Sequence, residues 1–514
     1  MNHSDRFLAI ILILTLYCYT GYCQEGFRWT EELKNDWLFR KTADPKGNRY
    51  SLNESSWEKV RIPHDWAIAG PFSKENDVQE NRVIEDGETK VTRKYGKTGS
   101  LPYLGIGWYR KHLYFGNNDK DKHISIEFDG AMSHAKVYLN GRFVGEWPYG
   151  YSSFSFNLTP YILWGKDNVL AVRLENKPSS SRWYPGAGLY RAVRLVKTSP
   201  WHIRHWGTYI QTKVMGSSKA TVSVETLFAS GHVPETGSLF LKTSIYSKAN
   251  TLVAETISQI KRKDTAALQK LTIHNPQLWS AEHPELYHAV SSLLVNENVV
   301  DQYKTVFGIR NIQFSVDSGM IVNGARVPLK GVCLHSDLGP LGMAFNRSAW
   351  KYRLQLLKDM GCNAIRGSHN PQDPALLDLF DEMGFYFIDE AFDEWKAPKN
   401  KNGYAPLFDQ WAKKDLQAMI KRDRNHPSVI MYSIGNEVRE QGDPAGAGIA
   451  AYLTGICHQT DSTRPVTAAF NNWQAAISNG LADAVDIPGW NYKPGYYAEI
   501  HQAHPQWMIY GSET

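Results

Sequence analysis

Residues 408–437 read FDQWAKKDLQAMIKRDRNHPSVIMYSIGNE, and this stretch decides the fold. Its first half, Phe408 to Arg422, is an amphipathic helix candidate. Its second half, Ser428 to Ile434, is an apolar strand candidate that runs into Gly435-Asn436-Glu437. The same alternation fills the chain from residue 306 onward. Strands are expected at Val327–Leu334, Asn363–Arg366, Phe385–Ile388, Ser428–Ile434, Pro465–Ala469, Ala484–Ile487 and Trp507–Tyr510. Helices are expected between them at Arg347–Asp359, Pro374–Met383, Phe408–Arg422, Pro444–Thr460 and Gly495–His504. Strands that alternate with crossover helices run parallel. Seven of them in one direction point to a TIM-type (β/α)8 barrel over residues 306–514, with its active site at the strands' C-terminal ends.

Upstream the period changes to two. Within residues 24–200 the runs His123–Phe128, Ala135–Leu139 and Asn168–Leu174 alternate as strands, and Asn140-Gly141 supplies a hairpin turn. A jelly-roll β-sandwich fits this region. Residues 74–100 are polar and aperiodic and read as a long surface loop. Residues 201–305 continue in short strands such as Ala220–Thr226 and Ser238–Thr243, which suggests an immunoglobulin-like β-sandwich.

Residues 1–23 read as an export signal. Arg6 precedes the apolar run Phe7–Tyr17, which is shorter than the ~20 residues a membrane-spanning helix needs. Cleavage before Gln24 gives a secreted or periplasmic protein; a lipid anchor on Cys23 and a retained anchor are the alternatives. Beyond this region only Cys333, Cys362 and Cys457 remain, an odd number at wide spacing that makes no disulfide framework.

The 514 residues carry 57 Lys and Arg against 52 Asp and Glu. A net charge of +5 gives no broad basic field and argues against nucleic acid as a main partner. The 17 Trp and 27 Tyr suit buried sheets and also flat platforms for sugar rings.

Polar residues gather where the barrel strands end. They are His335-Ser336-Asp337, Arg366-Gly367-Ser368-His369, Asp389-Glu390 with Asp393-Glu394-Trp395, Asn436-Glu437, Trp490-Asn491-Tyr492 and Ser512-Glu513. There is no Ser-His-Asp set and no phosphate-cradling glycine loop. Carboxylates on different strands, with aromatic residues nearby, are what glycoside hydrolysis needs. One attacks or steadies the anomeric centre, and the other, kept protonated, donates to the leaving oxygen.

The run Arg422–Glu437 and the stretch Asn363-Ala-Ile-Arg-Gly-Ser-His-Asn-Pro371 resemble glycoside hydrolase family 2, which includes β-galactosidases and β-glucuronidases. The resemblance extends through Ile62–Trp66, Gly107–Arg110, Arg182–Arg191 and Leu278–Glu282, so it covers nearly the whole chain after the signal. It implies that Glu437 is the general acid/base and Glu513 the nucleophile, ~5–5.5 Å apart as in retaining enzymes. It implies that Arg366 and Tyr492 hold Glu513 and that Asn436 binds the sugar 2-hydroxyl. His335, Asp337, His369, Trp395 and Trp490 are expected to shape the sugar pocket.

Val332–Gly339 and Ile388–Trp395 look most like the β-galactosidase branch, with β-glucuronidase and β-mannosidase as alternatives. In some β-galactosidases a Glu and a His after the third strand hold magnesium. Glu394 matches, but Lys396 stands where the His would be, and an ammonium beside a divalent cation is unfavourable. No metal and no cofactor are expected. The expected partner is a carbohydrate, and a homo-oligomer is left open. Glu513 is the penultimate residue, whereas a closed barrel should continue to an eighth strand, so a barrel truncated after strand seven is expected, as a fragment or an inactive sugar-binding form.

Overall fold

The computed structural model describes residues 27–73, 79–81, 92–94, 104–216, 218–229 and 233–514. The expected export signal lies outside the described residues. So does most of the loop expected at 74–100, within which Gln79–Asn81 pairs antiparallel with Thr92–Lys94.

Two sheets of a sandwich span residues 28–198. One has four strands in the order Arg28–Glu32, Val193–Thr198, His123–Phe128 and Phe154–Asn157. The other has six, with Gly105–Tyr114 and Asp167–Asn176 at its centre. Alternating residues such as Ile124, Ile126 and Phe128 face Val137, Leu170 and Val172 across a shared core. The turn at Asn140-Gly141 has positive φ at both positions, 55° and 80°, which an Asn-Gly pair tolerates and most residues do not.

A second sandwich follows. Ile203–Met215, Lys219–Phe228 and Ala266–His274 pack against a four-stranded sheet ordered Leu252–Ile260, Leu239–Tyr246, Tyr287–Val295 and Asn298–Phe307. A short antiparallel sheet over 312–326 leads into the barrel.

The barrel strands are β1 (Gly331–Leu334), β2 (Ala364–Gly367), β3 (Tyr386–Glu390), β4 (Val429–Asn436), β5 (Val466–Phe470), β6 (Ile487–Asn491) and β7 (Tyr510–Glu513). They form one parallel sheet in sequence order. The helices are α1 (Arg347–Asp359), α2 (Pro374–Met383), α3 (Phe408–Asp423), α4 (Gly446–Thr460), α5 (Trp473–Ser478) and α6 (Tyr497–Ala503). Local chemistry sets their ends. Asn346 caps α1 by accepting from the Ala349 N–H at 3.0 Å, and Asp373 caps α2 by accepting from Ala375 at 2.8 Å. Gly384 ends α2 at φ 74°, with no room for a Cβ beside the Ala281 carbonyl.

Within the described residues β1 pairs only with β2, and β7 only with β6. The Cys333 Sγ on β1 lies 3.4 Å from the Ser512 carbonyl on β7, and a cavity of about 730 Å³ opens along this seam. Cys333 is exposed there, Cys362 is half-buried, and Cys457 is buried; the thiols are unpaired. The helix layer packs on the sheet through residues such as Leu354, Phe380, Phe387, Leu416 and Ile434. Ile388, Met431 and Ile487 belong to a separate apolar cluster. One step nearer the strands' C-terminal ends, Glu390 on β3 accepts from Arg366 on β2 and from Ser433 on β4. No described helix is long and apolar enough to cross a membrane.

Candidate active site

Glu513 closes β7. The Arg366 Nη1 donates to its Oε1 at 2.8 Å, the Tyr492 hydroxyl donates to its Oε2, and the His369 Nε2 lies 3.6 Å from Oε1. Burial pushes this carboxyl up, but the His369 ring, the Arg366 guanidinium and the Tyr492 hydroxyl outweigh it, so its pKa lies below the ordinary value. Glu513 is therefore held as a carboxylate.

Glu437 lies just past β4, buried, at φ 44°. A non-glycine residue in that left-handed region costs on the order of 1–3 kcal/mol and persists only where its surroundings enforce it. Asn491 donates to its Oε1 at 2.9 Å, and the Glu437 N–H donates to the Ala469 carbonyl at 2.8 Å. The neighbours Asn491 and Tyr492 thus hold one carboxyl each, and the Tyr492 N–H also reaches the Glu513 carbonyl at 2.6 Å. Ser512 fixes the Asn491 amide by donating to its Oδ1 at 2.6 Å.

Arg366 connects the rest. It gives Glu390 two N–H groups, at 3.0 and 2.6 Å, and gives the Asn436 Oδ1 another at 2.9 Å. Glu390 also takes the Ser433 hydroxyl at 2.5 Å and lies 2.7 Å from the His369 Nδ1. Burial pushes Glu390 up, and Arg366 with His369 brings it below its ordinary value.

The sandwich domain reaches into this site. Arg182 forms a bidentate pair with Asp393 at 3.0 and 2.7 Å. The Trp183 ring lies 4.9 Å from His335 and 5.6 Å from His369, centroid to centroid. Burial and the neighbouring His369 push His335 down to about 4. A cavity of about 70 Å³ lies where Tyr149, Tyr151 and Trp183 meet His369 and Asp393.

Of the residues expected from sequence, Glu437, Glu513, Arg366, His369, Asn436 and Tyr492 share one hydrogen-bonded cluster, and His335 abuts it through His369 and Trp183. Asp337 stands apart: its side chain accepts from the Gly339 N–H at 3.3 Å, and its carbonyl accepts from Arg353. Two expectations are corrected. Trp490 packs on Phe470 and Trp507 in the helix layer, because side chains alternate along β6 and Asn491 takes the inward face. Trp395 is wholly buried behind β4, where its Nε1 donates to the Ile434 carbonyl at 2.7 Å. Neither presents a face to a sugar.

Sequence reasoning gave no individual role to Asn491, Arg182, Trp183 or Lys399. Asn491 stands four residues past the expected end of the sixth strand, so its inward position could not be read from that strand's alternation. Arg182 and Trp183 lie in the Arg182–Arg191 stretch, but only the three-dimensional packing brings them to the carboxylates.

Glu394 is engaged by backbone. Its oxygens accept from the N–H groups of Lys399, Asn400 and Ala405 at 2.5, 3.2 and 3.0 Å. Lys396 reaches Asp409 at 2.6 Å. Among the described residues no group of three or more His, Cys, Asp or Glu side chains is placed to hold a metal ion.

Three models of one family match the chain. "Glycosyl hydrolases family 2, sugar binding domain" covers residues 31–199, "Glycosyl hydrolases family 2" covers 201–310, and "Glycosyl hydrolases family 2, TIM barrel domain" covers 315–508. The beta-galactosidase BoGH2A of Bacteroides ovatus is 38% identical over 90% of this chain and 57% of its own length. A putative beta-glucuronidase of Formosa agariphila is 34% identical over 90% of this chain and 42% of its own. A crystal structure of a glycosyl hydrolase family 2 member from Bacteroides cellulosilyticus superposes with a TM-score of 0.87 at 37% identity, covering 94% of this chain and 61% of that one. The chain thus spans between two fifths and two thirds of the length of these relatives.

Proposed function

Because this chain belongs to glycosyl hydrolase family 2, we propose that it is an exo-acting, retaining β-glycosidase, and specifically a β-galactosidase that releases terminal β-galactose during polysaccharide or oligosaccharide breakdown. One observation carries the reading: the carboxyl groups of Glu437, just past β4, and Glu513, on β7, are held by Asn491 at the end of β6 and by the next residue, Tyr492, and only Glu513 is clamped by a guanidinium. That asymmetry suits two different tasks.

In the first step the Glu513 carboxylate attacks the anomeric carbon. The bond from that carbon to the aglycone oxygen breaks, its electron pair stays on the oxygen, and Glu437 supplies the proton. In the second step water attacks the same carbon, gives its proton to Glu437, and the bond to Glu513 breaks. Both carboxyls return to their starting states. Asn436 meets the sugar 2-hydroxyl, and Trp183, His335 and His369 wall the ring. In this reading the enzyme acts after export, in the periplasm or outside the cell.

The relatives include β-glucuronidases as well as β-galactosidases, so β-glucuronide hydrolysis is the second reading. The deciding assay offers the chain an aryl β-galactoside and an aryl β-glucuronide. Galactose release, with the β-anomer formed first by proton NMR and turnover lost in Glu437→Gln, is expected. Cleavage of the glucuronide alone overturns the galactose assignment, and an α-anomer formed first overturns retention.

A further inference from the structure

Lys399 has no exposed side-chain surface, and burial with the neighbouring Arg182 pushes the pKa of its ammonium below the ordinary value while Asp393 opposes them. Burying such a group is costly unless it is paired with an opposite charge and hydrogen-bonded. Its Nζ donates to the Asp393 Oδ1 at 2.8 Å and to the Asn436 backbone carbonyl at 2.7 Å. That carbonyl belongs to the peptide joining Asn436 to Glu437, the residue held at φ 44°.

Asp393 is the other half of the device. It accepts four N–H groups, two from Arg182, one from Lys399 and one from the Asn436 amide at 3.1 Å. Burial raises its pKa, and Arg182 with Lys399 brings it well below the ordinary value. An ionised Asp393 can only accept, and Arg366 can only donate, so the Asn436 amide has one orientation: NH₂ toward Asp393, oxygen toward Arg366.

The loop that delivers Lys399 is itself fastened. Glu394 takes the backbone N–H groups of Lys399, Asn400 and Ala405. A Cβ on Gly403 would collide with the Glu394 carboxylate, so the loop closes over it only with glycine there. The loop after β3 therefore exists in this form around one buried carboxylate and presents one buried cation.

We propose that Lys399 is a positioning residue for Glu437, holding the Asn436–Glu437 peptide in its left-handed turn and standing on an Asp393 clamp that the sandwich domain completes through Arg182. The sandwich is then part of the catalytic apparatus as well as a neighbour of it. The inference rests on the reading of Glu437 as the acid/base.

The role has a signature. The glycosylation step reported by kcat/KM needs Glu437 as acid only when the leaving group is poor. The test compares the full chain with Lys399→Met on two substrates of the same sugar, a dinitrophenyl glycoside and an alkyl glycoside. The expected loss in kcat/KM is roughly 10²-fold on the alkyl glycoside and under about 5-fold on the dinitrophenyl one. Lys399→Gln, which keeps an N–H toward the Asn436 carbonyl but no charge, is run in parallel and should fall between. Equal losses on both substrates, or no loss, overturn the proposal. A crystal structure of either variant decides the positional claim without turnover. Glu437 leaving its positive φ supports the proposal, and an unmoved Asn436 carbonyl and Glu437 backbone defeat it. Should the wild-type chain cleave neither glycoside, the reading of the reaction falls, while the crystal structure still decides what Lys399 holds.

Discussion

Arg366 and Glu513 are joined by a 2.8 Å charge-assisted hydrogen bond that runs from the second barrel strand to the seventh. The same guanidinium holds Glu390 through two N–H groups and Asn436 through one. Arg366→Gln removes the charge that keeps Glu513 ionised. Glu513 has its pKa below the ordinary value, so losing Arg366 raises it, and the acid limb of the kcat/KM profile moves to higher pH. Activity at neutral pH should fall at least about 10²-fold. The variant also leaves Glu390 buried without its main partner, for about 3–5 kcal/mol of lost stability in a urea melt. An unmoved acid limb would remove Arg366 from any role in ionising Glu513.

Tyr492 acts on the same carboxylate from the solvent side. It is 58% exposed, and its hydroxyl donates to the Glu513 Oε2. Burial and the Glu513 carboxylate push the phenol up, so it stays a donor at working pH. Tyr492→Phe deletes that donor and keeps the ring. The expected result is a fall of roughly 10–10²-fold in kcat with stability unchanged within about 0.5 kcal/mol. A fall in melting temperature matching that of Arg366→Gln would show that the hydroxyl supports the fold instead.

The tryptophans divide in a way that mutation can read. Trp490 is fully buried against Phe470 and Trp507. Trp183 stands half-buried at the site, its Nε1 donating to the Tyr151 hydroxyl at 3.1 Å. Trp490→Ala should cost about 3–5 kcal/mol by thermal or urea melts, with KM unaffected in whatever folds. Trp183→Ala should raise KM severalfold while leaving the melt nearly in place. The reverse pattern would return Trp490 to the sugar pocket.

Much of this was legible in the sequence because the barrel repeats one pattern. Helices α1 and α2 fall at the residues expected, since their caps and periods agree. The sixth and seventh strands were placed about three residues early, at Ala484–Ile487 and Trp507–Tyr510 against Ile487–Asn491 and Tyr510–Glu513. Their C-terminal halves hold Pro488, Gly489, Asn491, Gly511 and Ser512, which break an apolar run while still extended. The polar ends that make the site are what hides the strand. The short helix α5 was missed because six residues give too little period to detect. The placement of Trp490 was out of reach for a related reason, since alternation fixes its outward face only once the strand is known to run on to Asn491, and Trp395 lies in the loop past β3, where only tertiary packing buries it against Ile434.

Asp415 on α3 ties the barrel to the sandwich. Its Oδ1 accepts from the Trp147 Nε1 at 2.7 Å and the Ser152 hydroxyl at 2.6 Å, and its Oδ2 accepts from Tyr404 at 2.5 Å. Burial nonetheless pushes its pKa up to about 6, the hydrogen bonds only partly opposing it. The folded chain therefore holds this proton more tightly than the unfolded chain, whose Asp titrates near ~3.9. As pH rises from about 4 to about 6, the unfolded state has already released the proton, and the folded state must give it up against a preference for keeping it. Stability from this group is full below that window, falls across it, and is level above it. About two pKa units correspond to roughly 2–3 kcal/mol. Asp415→Asn has no proton to lose, so urea melts at whole pH units from about 4 to 7 should show the wild-type chain losing that amount relative to the variant across the window. Parallel curves for the two proteins would mean that Asp415 is ionised in the interface throughout, with its charge met by the three donors alone.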